Sequence, residues 1–388
     1  MKRVLICLLL VCGISSAHAV KIIHGPYLQA VTDTEATIVW VTDANALSWV
    51  EVVPDDGTNF YEEARPRYYQ TYLGKRTIGT VHKVRVTGLE AGKKYRYAVA
   101  SKEVLSQNGH RIHYGDIVST NVYRKGSHTI PTINPKKERV EFVVMNDVHA
   151  KNDKIEAYLR NCFKKGETDM VIFNGDMVSS IPSVNILFEG FLDTAVKSFA
   201  SDVPFYYARG NHETRGGSAP EFLNYFPTTT GKPYYTINYG DYFFIVLDSG
   251  EDKPDNNIEY YDTADYDNYR KEEAEWLKKV VASEECRNAK YRVVFMHMPP
   301  IGGNKMWHGP KHASECFFPI LNEANIAVML SGHTHKASYN GPMERTSAAF
   351  PILVNSNSSA LKVVVDSEGV KIAVVDEAGR EVENYLFR

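Results

Sequence analysis

The sequence predicts an all-β sandwich over residues 20–125, a linker over 126–139 and an α/β (α+β) domain over 140–388. Three observations predict it. Short β-branched and aromatic runs separated by turn residues fill the first stretch. Apolar strands alternating with helical periodicity fill the second. The total of 388 residues exceeds what one domain ordinarily holds. A hydrophobic fraction of 44% with 23% charged residues suits a globular chain with full cores. The net charge of −3 points away from a nucleic-acid partner and from an anionic membrane surface.

The chain opens on a targeting signature. Lys2 and Arg3 precede an apolar run from Val4 to Ile14, and Ala17-His18-Ala19 forms an A-x-A cleavage pattern before Val20. A signal peptide over residues 1–19, and hence secretion or periplasmic export, is the expectation. The run is short of the roughly 18–20 residues a spanning helix needs, and no later segment is more apolar, so no membrane span is expected. Cys7 and Cys12 leave with the signal. Cys162, Cys286 and Cys316 remain, an odd number that builds no disulfide framework; one bridge or none fits.

In the first region residues 36–42, 48–53 and 81–86 have strand composition, with Asp55-Asp56-Gly57 as a turn. Leu89 followed six residues later by Tyr95 at a strand start has the spacing of a tyrosine corner. This stretch resembles a fibronectin type III domain. His24-Gly25-Pro26-Tyr27-Leu28-Gln29 resembles the opening of the sandwich that precedes the catalytic domain of purple acid phosphatases. No chemistry is visible in it, and its expected role is structural.

After the linker, residues 140–145 form a buried strand ending in Asn146-Asp147-Val148-His149. A helical stretch at 154–165 leads to a strand at 170–173 and Asn174-Gly175-Asp176. A second helical stretch, 185–199, leads to a strand at 204–208 and Arg209-Gly210-Asn211-His212-Glu213. Further strands are expected at 242–247, 291–296 and 326–330, with a helix at 266–283 between the first two. Strands at 361–365 and 370–375 are antiparallel additions.

Five clusters place polar side chains directly after apolar strands: Asp147-x-His149, Gly175-Asp176, Gly210-Asn211-His212-Glu213, His297, and Gly332-His333-Thr334-His335. Strand ends fix backbones and present side chains on one rim. The glycines before Asp176, Asn211 and His333 permit a sharp turn or close backbone approach. Taken singly these signals are weak: Asp-x-His is common, and His297 alone is compatible with a core histidine bonded to a carbonyl. Gly-His-Thr-His is stronger, because it sets two imidazoles on one side of an extended segment.

In this order the clusters match all five motifs of the calcineurin-like metallophosphoesterase superfamily, which residues 140–340 resemble. The resemblance implies a four-layer αββα sandwich with two divalent ions (Mn, Fe or Zn). It implies that Asp147, His149, Asp176 and His335 hold one metal. Asp176 then bridges to a second metal held also by Asn211, His297 and His333. His212 lies close to the substrate as the catalytic residue, donating a proton to the leaving oxygen. Two cations bring four positive charges against two carboxylates, so the centre keeps the positive charge that a phosphate ester needs. Phosphate monoesters are expected to be cleaved by a hydroxide held between the cations, with no covalent phosphoenzyme. The alternatives are a phosphodiesterase for nucleotide or phospholipid-type diesters, and a binding protein that retains metal without catalysis. The partner is thus a small-molecule phosphate ester; the oligomeric state stays open.

Departures from relatives narrow the reading. Protein Ser/Thr phosphatases continue the second motif into Val-Asp-Arg-Gly, whereas Asp176 is followed here by Met177-Val178-Ser179-Ser180. Purple acid phosphatases carry an iron-binding Tyr where this chain has Ser179, and lack the histidine that here is His149. A colourless enzyme is expected. Glu213 is left with three roles: orienting His212, bracing its loop, or lying on the surface. Trp307, in the loop 299–310, either stacks on a substrate ring or packs the loop, and the acidic, Tyr-rich stretch 251–269 is either a rim or a solvated loop.

Overall fold

The computed structural model describes residues 19–62 and 64–388. The signal peptide expected at 1–19 lies outside them, save Ala19. Among the described residues, no helix is long and apolar enough to cross a membrane.

The N-terminal region holds a connected seven-stranded antiparallel sheet packed over an apolar core of Leu28, Ile38, Trp40, Val50, Val84 and Val99, and a separate two-stranded ribbon at 71–76. The two strands expected at 36–42 and 48–53 are halves of one, Glu35–Pro54. Residues 43–47 (Asp-Ala-Asn-Ala-Leu) contain no Gly or Pro to break it, and the irregularity appears as a register shift between Val41 and Ala46. Its first half pairs with Ile22–Gln29 and Ile78–Thr87, its second with Lys94–Asn108 and Arg67–Tyr69. Tyr95 closes the corner as its spacing suggests, its hydroxyl accepting from the Glu90 amide at 2.9 Å. The stretch read as a linker carries a strand, His128–Pro131, paired with Lys94–Asn108.

The second region is four-layered. Two six-stranded sheets face each other across Phe142, Ile172, Phe244, Phe295, Leu330 and Leu361. Burying each such side chain stabilises by about 1.5–3 kcal/mol. Helix Asn152–Cys162 and the helical stretch 185–200 cover one sheet; helices Tyr266–Val281 and His308–Leu321 cover the other. The stretch 185–200 is helical as expected but alternates α with two π segments, Phe188–Leu192 and Val196–Ala200. Strands Val140–Met145, Met170–Phe173 and Phe205–Tyr207 are parallel in one sheet. Tyr242–Leu247, Tyr291–Met296 and Val328–Ser331 are parallel in the other. All these C-terminal ends meet on one rim, where parallel sheets place ligands.

The opening motif of the sandwich docks it to this domain. His24 stacks on Phe188 at 3.8 Å, with its Nδ1 2.9 Å from Asp193. The Tyr27 hydroxyl donates to the Tyr225 carbonyl at 2.9 Å, and Gln29 Nε2 to the Phe205 carbonyl at 3.0 Å. The last contact anchors the strand that ends three residues before Gly210. Cys162, Cys286 and Cys316 are all free thiols.

Candidate metal centre

The eight side chains singled out in the sequence converge on the common rim. Two groups of ligand-capable atoms, each spanning no more than 4.8 Å, are Asp147, His149 and His335, and Asp176, His297 and His333. Asn211 joins the second, its Oδ1 3.0 Å from His333 Nδ1. His212 lies within the same reach of Asp176 and His149, a third group. Ligand distance alone therefore does not separate His212 from the metal set.

Local backbone explains the convergence. Asp147, His149, Asp176, His333 and His335 all adopt positive φ, between 50° and 68°. This left-handed region is uncommon for non-glycine residues, and Asp and His tolerate it better than most. A Cβ on Gly175 would stand 2.3 Å from the His297 ring, and one on Gly210 would stand 2.2 Å from Asp176 Oδ1. The glycines thus make room for ligands from other strands.

Each carboxylate has one oxygen committed and one free. Asp147 Oδ2 accepts from Asn146 Nδ2 (2.6 Å) and the His333 amide (2.9 Å). Its Oδ1 is buried without a hydrogen-bond partner and faces His335 Nε2 at 3.2 Å. Asp176 Oδ1 accepts the His212 amide at 3.1 Å, while Oδ2 faces His297 Nε2 at 3.0 Å. His297 shows the same division. Its Nδ1–H donates to the Asn174 carbonyl at 2.7 Å, which fixes the tautomer, and Nε2 is buried with no hydrogen-bond partner. The core-histidine reading thus accounts for one ring nitrogen and leaves the other aimed into the centre.

These free atoms fit cations. Facing pairs are separated by 3.0 Å (Asp176–His297), 3.1 Å (His149–His335) and 3.2 Å (Asp147–His335). Two ligands about 2.1 Å from one ion at right angles lie about 3.0 Å apart. Mixed N and O donors suit Mn, Fe or Zn.

Electrostatics points the same way. Burial disfavours a charged His297, but the Asp176 carboxylate outweighs it and holds the ring up at about 10. Burial likewise opposes ionisation of Asp176, yet His297 pulls its carboxyl well below the usual range. His333 is pushed down to about 3 by burial, with His297 adding repulsion. Positive charge is therefore demanded in the buried half.

The sequence left the supporting residues open or unread. Glu213 is completely buried, so the surface reading is wrong. It braces the loop: its oxygens accept from the amides of Asp176 (2.9 Å), Gly210 (3.0 Å) and Val178 (3.3 Å) and from the Tyr207 hydroxyl (2.8 Å). His212 is oriented instead by Ser179, whose carbonyl accepts its Nδ1–H at 2.7 Å, leaving Nε2 3.8 Å from Asp176. Ion pairs flank the Gly210–Thr214 turn. Arg209 binds Asp248 at 2.6 Å, and Arg215 grips Glu251 through two bonds of 2.7 and 2.8 Å. Glu251 and Asp252 are buried, so the stretch 251–269 begins as a brace, although Tyr261 further along is exposed. The available signal was position: Asp248 directly follows a buried strand, as the metal candidates do.

Comparison with known proteins agrees with this architecture. The family described as calcineurin-like phosphoesterase matches residues 140–337, and the purple acid phosphatase N-terminal domain matches residues 25–111. The bovine serine/threonine-protein phosphatase CPPED1 is 25% identical over 182 residues, 45% of this chain and 56% of that protein. Its rat counterpart is 22% identical over 201 residues, 49% and 62% respectively. The chain thus spans less than two thirds of the length of these curated relatives. The phosphopantetheinyl hydrolase of Mycobacterium tuberculosis is 12% identical over 56% of this chain and 90% of that one, with a TM-score of 0.38.

Proposed function

Because the chain belongs to the calcineurin-like phosphoesterase family, we propose that this metal-dependent phosphoric ester hydrolase cleaves small phosphate monoesters at a two-cation centre. The observation that carries the reading is the pair of buried atoms, Asp147 Oδ1 and His297 Nε2, turned toward His335 and Asp176 respectively. Leaving Asp147 Oδ1 unpaired costs about 1–3 kcal/mol, a cost that ligation removes. Asp147, His149 and His335 would hold one ion, Asn211, His297 and His333 the other, and Asp176 both. Bound divalent ions (Mn, Fe or Zn) supply positive charge for the phosphoryl oxygens and acidify water.

The chain's own residues supply the rest. Asn174, through its carbonyl, keeps His297 Nε2 available as an acceptor. The Ser179 carbonyl needs Nδ1–H of His212, so a proton that reaches the leaving oxygen must come from Nε2, the nitrogen facing the centre. No Ser or Cys nucleophile is required, and turnover passes through no phosphoenzyme. Ser179, where purple acid phosphatases carry their tyrosine, supports a colourless centre. The A-x-A pattern before Val20 supports export.

The test is turnover of nitrophenyl phosphate and bis-nitrophenyl phosphate by protein loaded with each metal. Monoester turnover is the expected result. A preference for the diester replaces this reading with a phosphodiesterase, and silence with every metal replaces it with a binding protein. A phosphoserine peptide belongs in the panel, given the name of the bovine and rat relatives.

A further inference from the structure

A second recess opens beside the centre. It has a volume of about 270 Å³ and is lined by Ile301, Lys305, Met306, Trp307 and Pro310 together with His333 and Thr334. Its volume falls just under the roughly 300–1,000 Å³ of drug-sized ligand sites, which suits a single substituted ring. His333 belongs to both the recess and the proposed ligand set, so a group seated there stays tethered to a phosphate at the centre.

Trp307 is only partly covered by its surroundings. It is 55% exposed, whereas Trp40 and Trp49 are buried. Yet the backbone that carries it is fixed. Gly309 donates its amide to the Asp252 carbonyl at 2.8 Å and sits so close to residue 251 that a Cβ there would stand 2.0 Å from the Glu251 carbonyl oxygen. Glu251 is itself gripped by Arg215. His308 Nε2 holds the Asp267 carboxylate at 2.9 Å, and the Trp307 carbonyl accepts the Lys311 amide at 3.1 Å. The Lys253 ammonium stands 5.5 Å from the indole centroid and closes one side. An indole that is anchored at its base, wet on its surface and walled by methionine and isoleucine offers a preorganised stacking platform.

We propose that this recess binds the aryl group of an aromatic phosphate ester, with Trp307 as the residue that sets specificity for it. This deepens the hydrolase reading and rests on it. Aliphatic esters reach the same centre without the stacking contact, so the enzyme discriminates by the organic group rather than by the phosphate. An aromatic stack is worth about 0.5–1.5 kcal/mol, which at its upper end is about tenfold in kcat/KM.

The experiment uses the metal-loaded full chain and two readouts. The first is the ratio of kcat/KM for phenyl phosphate to that for ethyl phosphate in wild type, Trp307→Phe and Trp307→Ala. The ratio is expected to fall about tenfold in Trp307→Ala and to be largely kept in Trp307→Phe. The second is quenching of tryptophan fluorescence by 4-nitrobenzylphosphonate, whose C–P bond is not hydrolysed. Of the 4 tryptophans only Trp307 lines the recess, so quenching is expected in wild type and not in Trp307→Phe. An unchanged ratio in Trp307→Ala overturns the proposal, and so does quenching that persists in Trp307→Phe. Absent turnover of both esters by the wild type sinks the hydrolase reading instead, and the quenching arm still decides the recess.

Discussion

Two buried histidines, one in each domain, answer burial in opposite ways. His82 lies in the sandwich with Nε2 2.9 Å from Thr42 Oγ1 and 3.3 Å from Ser48 Oγ, and burial pushes it down to about 4. His297 is at least as buried, but Asp176 drives it up to about 10. The neighbours make the difference. Hydroxyls satisfy a neutral ring, whereas a buried carboxylate demands a positive partner. Burial alone therefore does not mark a functional histidine; an opposing carboxylate and a ring nitrogen with nothing to bond do.

Mutating the two sides of this comparison gives effects of very different size. Asp176→Asn removes the carboxylate that both proposed ions share, and kcat/KM for a monoester is expected to fall by about 10³-fold or more. Elemental analysis should show the loss of metal alongside. His212→Ala should lower kcat by about 10²-fold, the scale of one general acid, with metal content intact. If metal is lost as well, His212 is a ligand, as its reach to His149 and Asp176 permits.

Glu213→Gln tests a support rather than a ligand. Whichever oxygen the amide replaces, it turns a donor toward at least one backbone N–H that can only donate, with the Tyr207 hydroxyl alone able to accept, so metal affinity is expected to drop by about 10–100-fold. Metal titration followed by calorimetry measures this, and unchanged affinity would show that the loop holds itself.

The effect expected at His82 is read in stability and leaves the metal centre untouched. Its folded value of about 4 lies below the ordinary 6.5, so the unfolded chain binds the extra proton first. Stability is complete above about pH 6.5 and is lost as pH falls toward 4, by about 3 kcal/mol if the full shift applies. His82→Gln should flatten that acid slope in urea unfolding between about pH 7 and 4.5. A slope identical to wild type would place the acid-sensitive group elsewhere.

How much of this was legible in the sequence follows from where each residue sits. Every proposed ligand follows an apolar strand, and strand ends fix position strongly enough that Asp147, Asp176, Asn211, His297 and His333 arrive together. The individual strands were legible for the same reason, whereas their stacking as two sheets came only from the family resemblance. Arg209, Arg215 and Glu251 were not, and Glu213 was legible only as one of three open roles, because a charged residue in a loop looks solvated until its partner is known. Those partners are Tyr207, Asp248 and the amides beside Asp176, and several lie dozens of residues away. The unbroken strand Glu35–Pro54 was hidden likewise. Asp43 and Asn45 suggest a turn, and only pairing on both halves keeps the chain extended.

The most direct test counts ions. Elemental analysis of protein loaded with Mn, Fe or Zn should give about two divalent ions per chain in wild type and about one in His297→Ala. The account is contradicted if wild type holds fewer than one with every metal, or if His297→Ala binds as much as wild type.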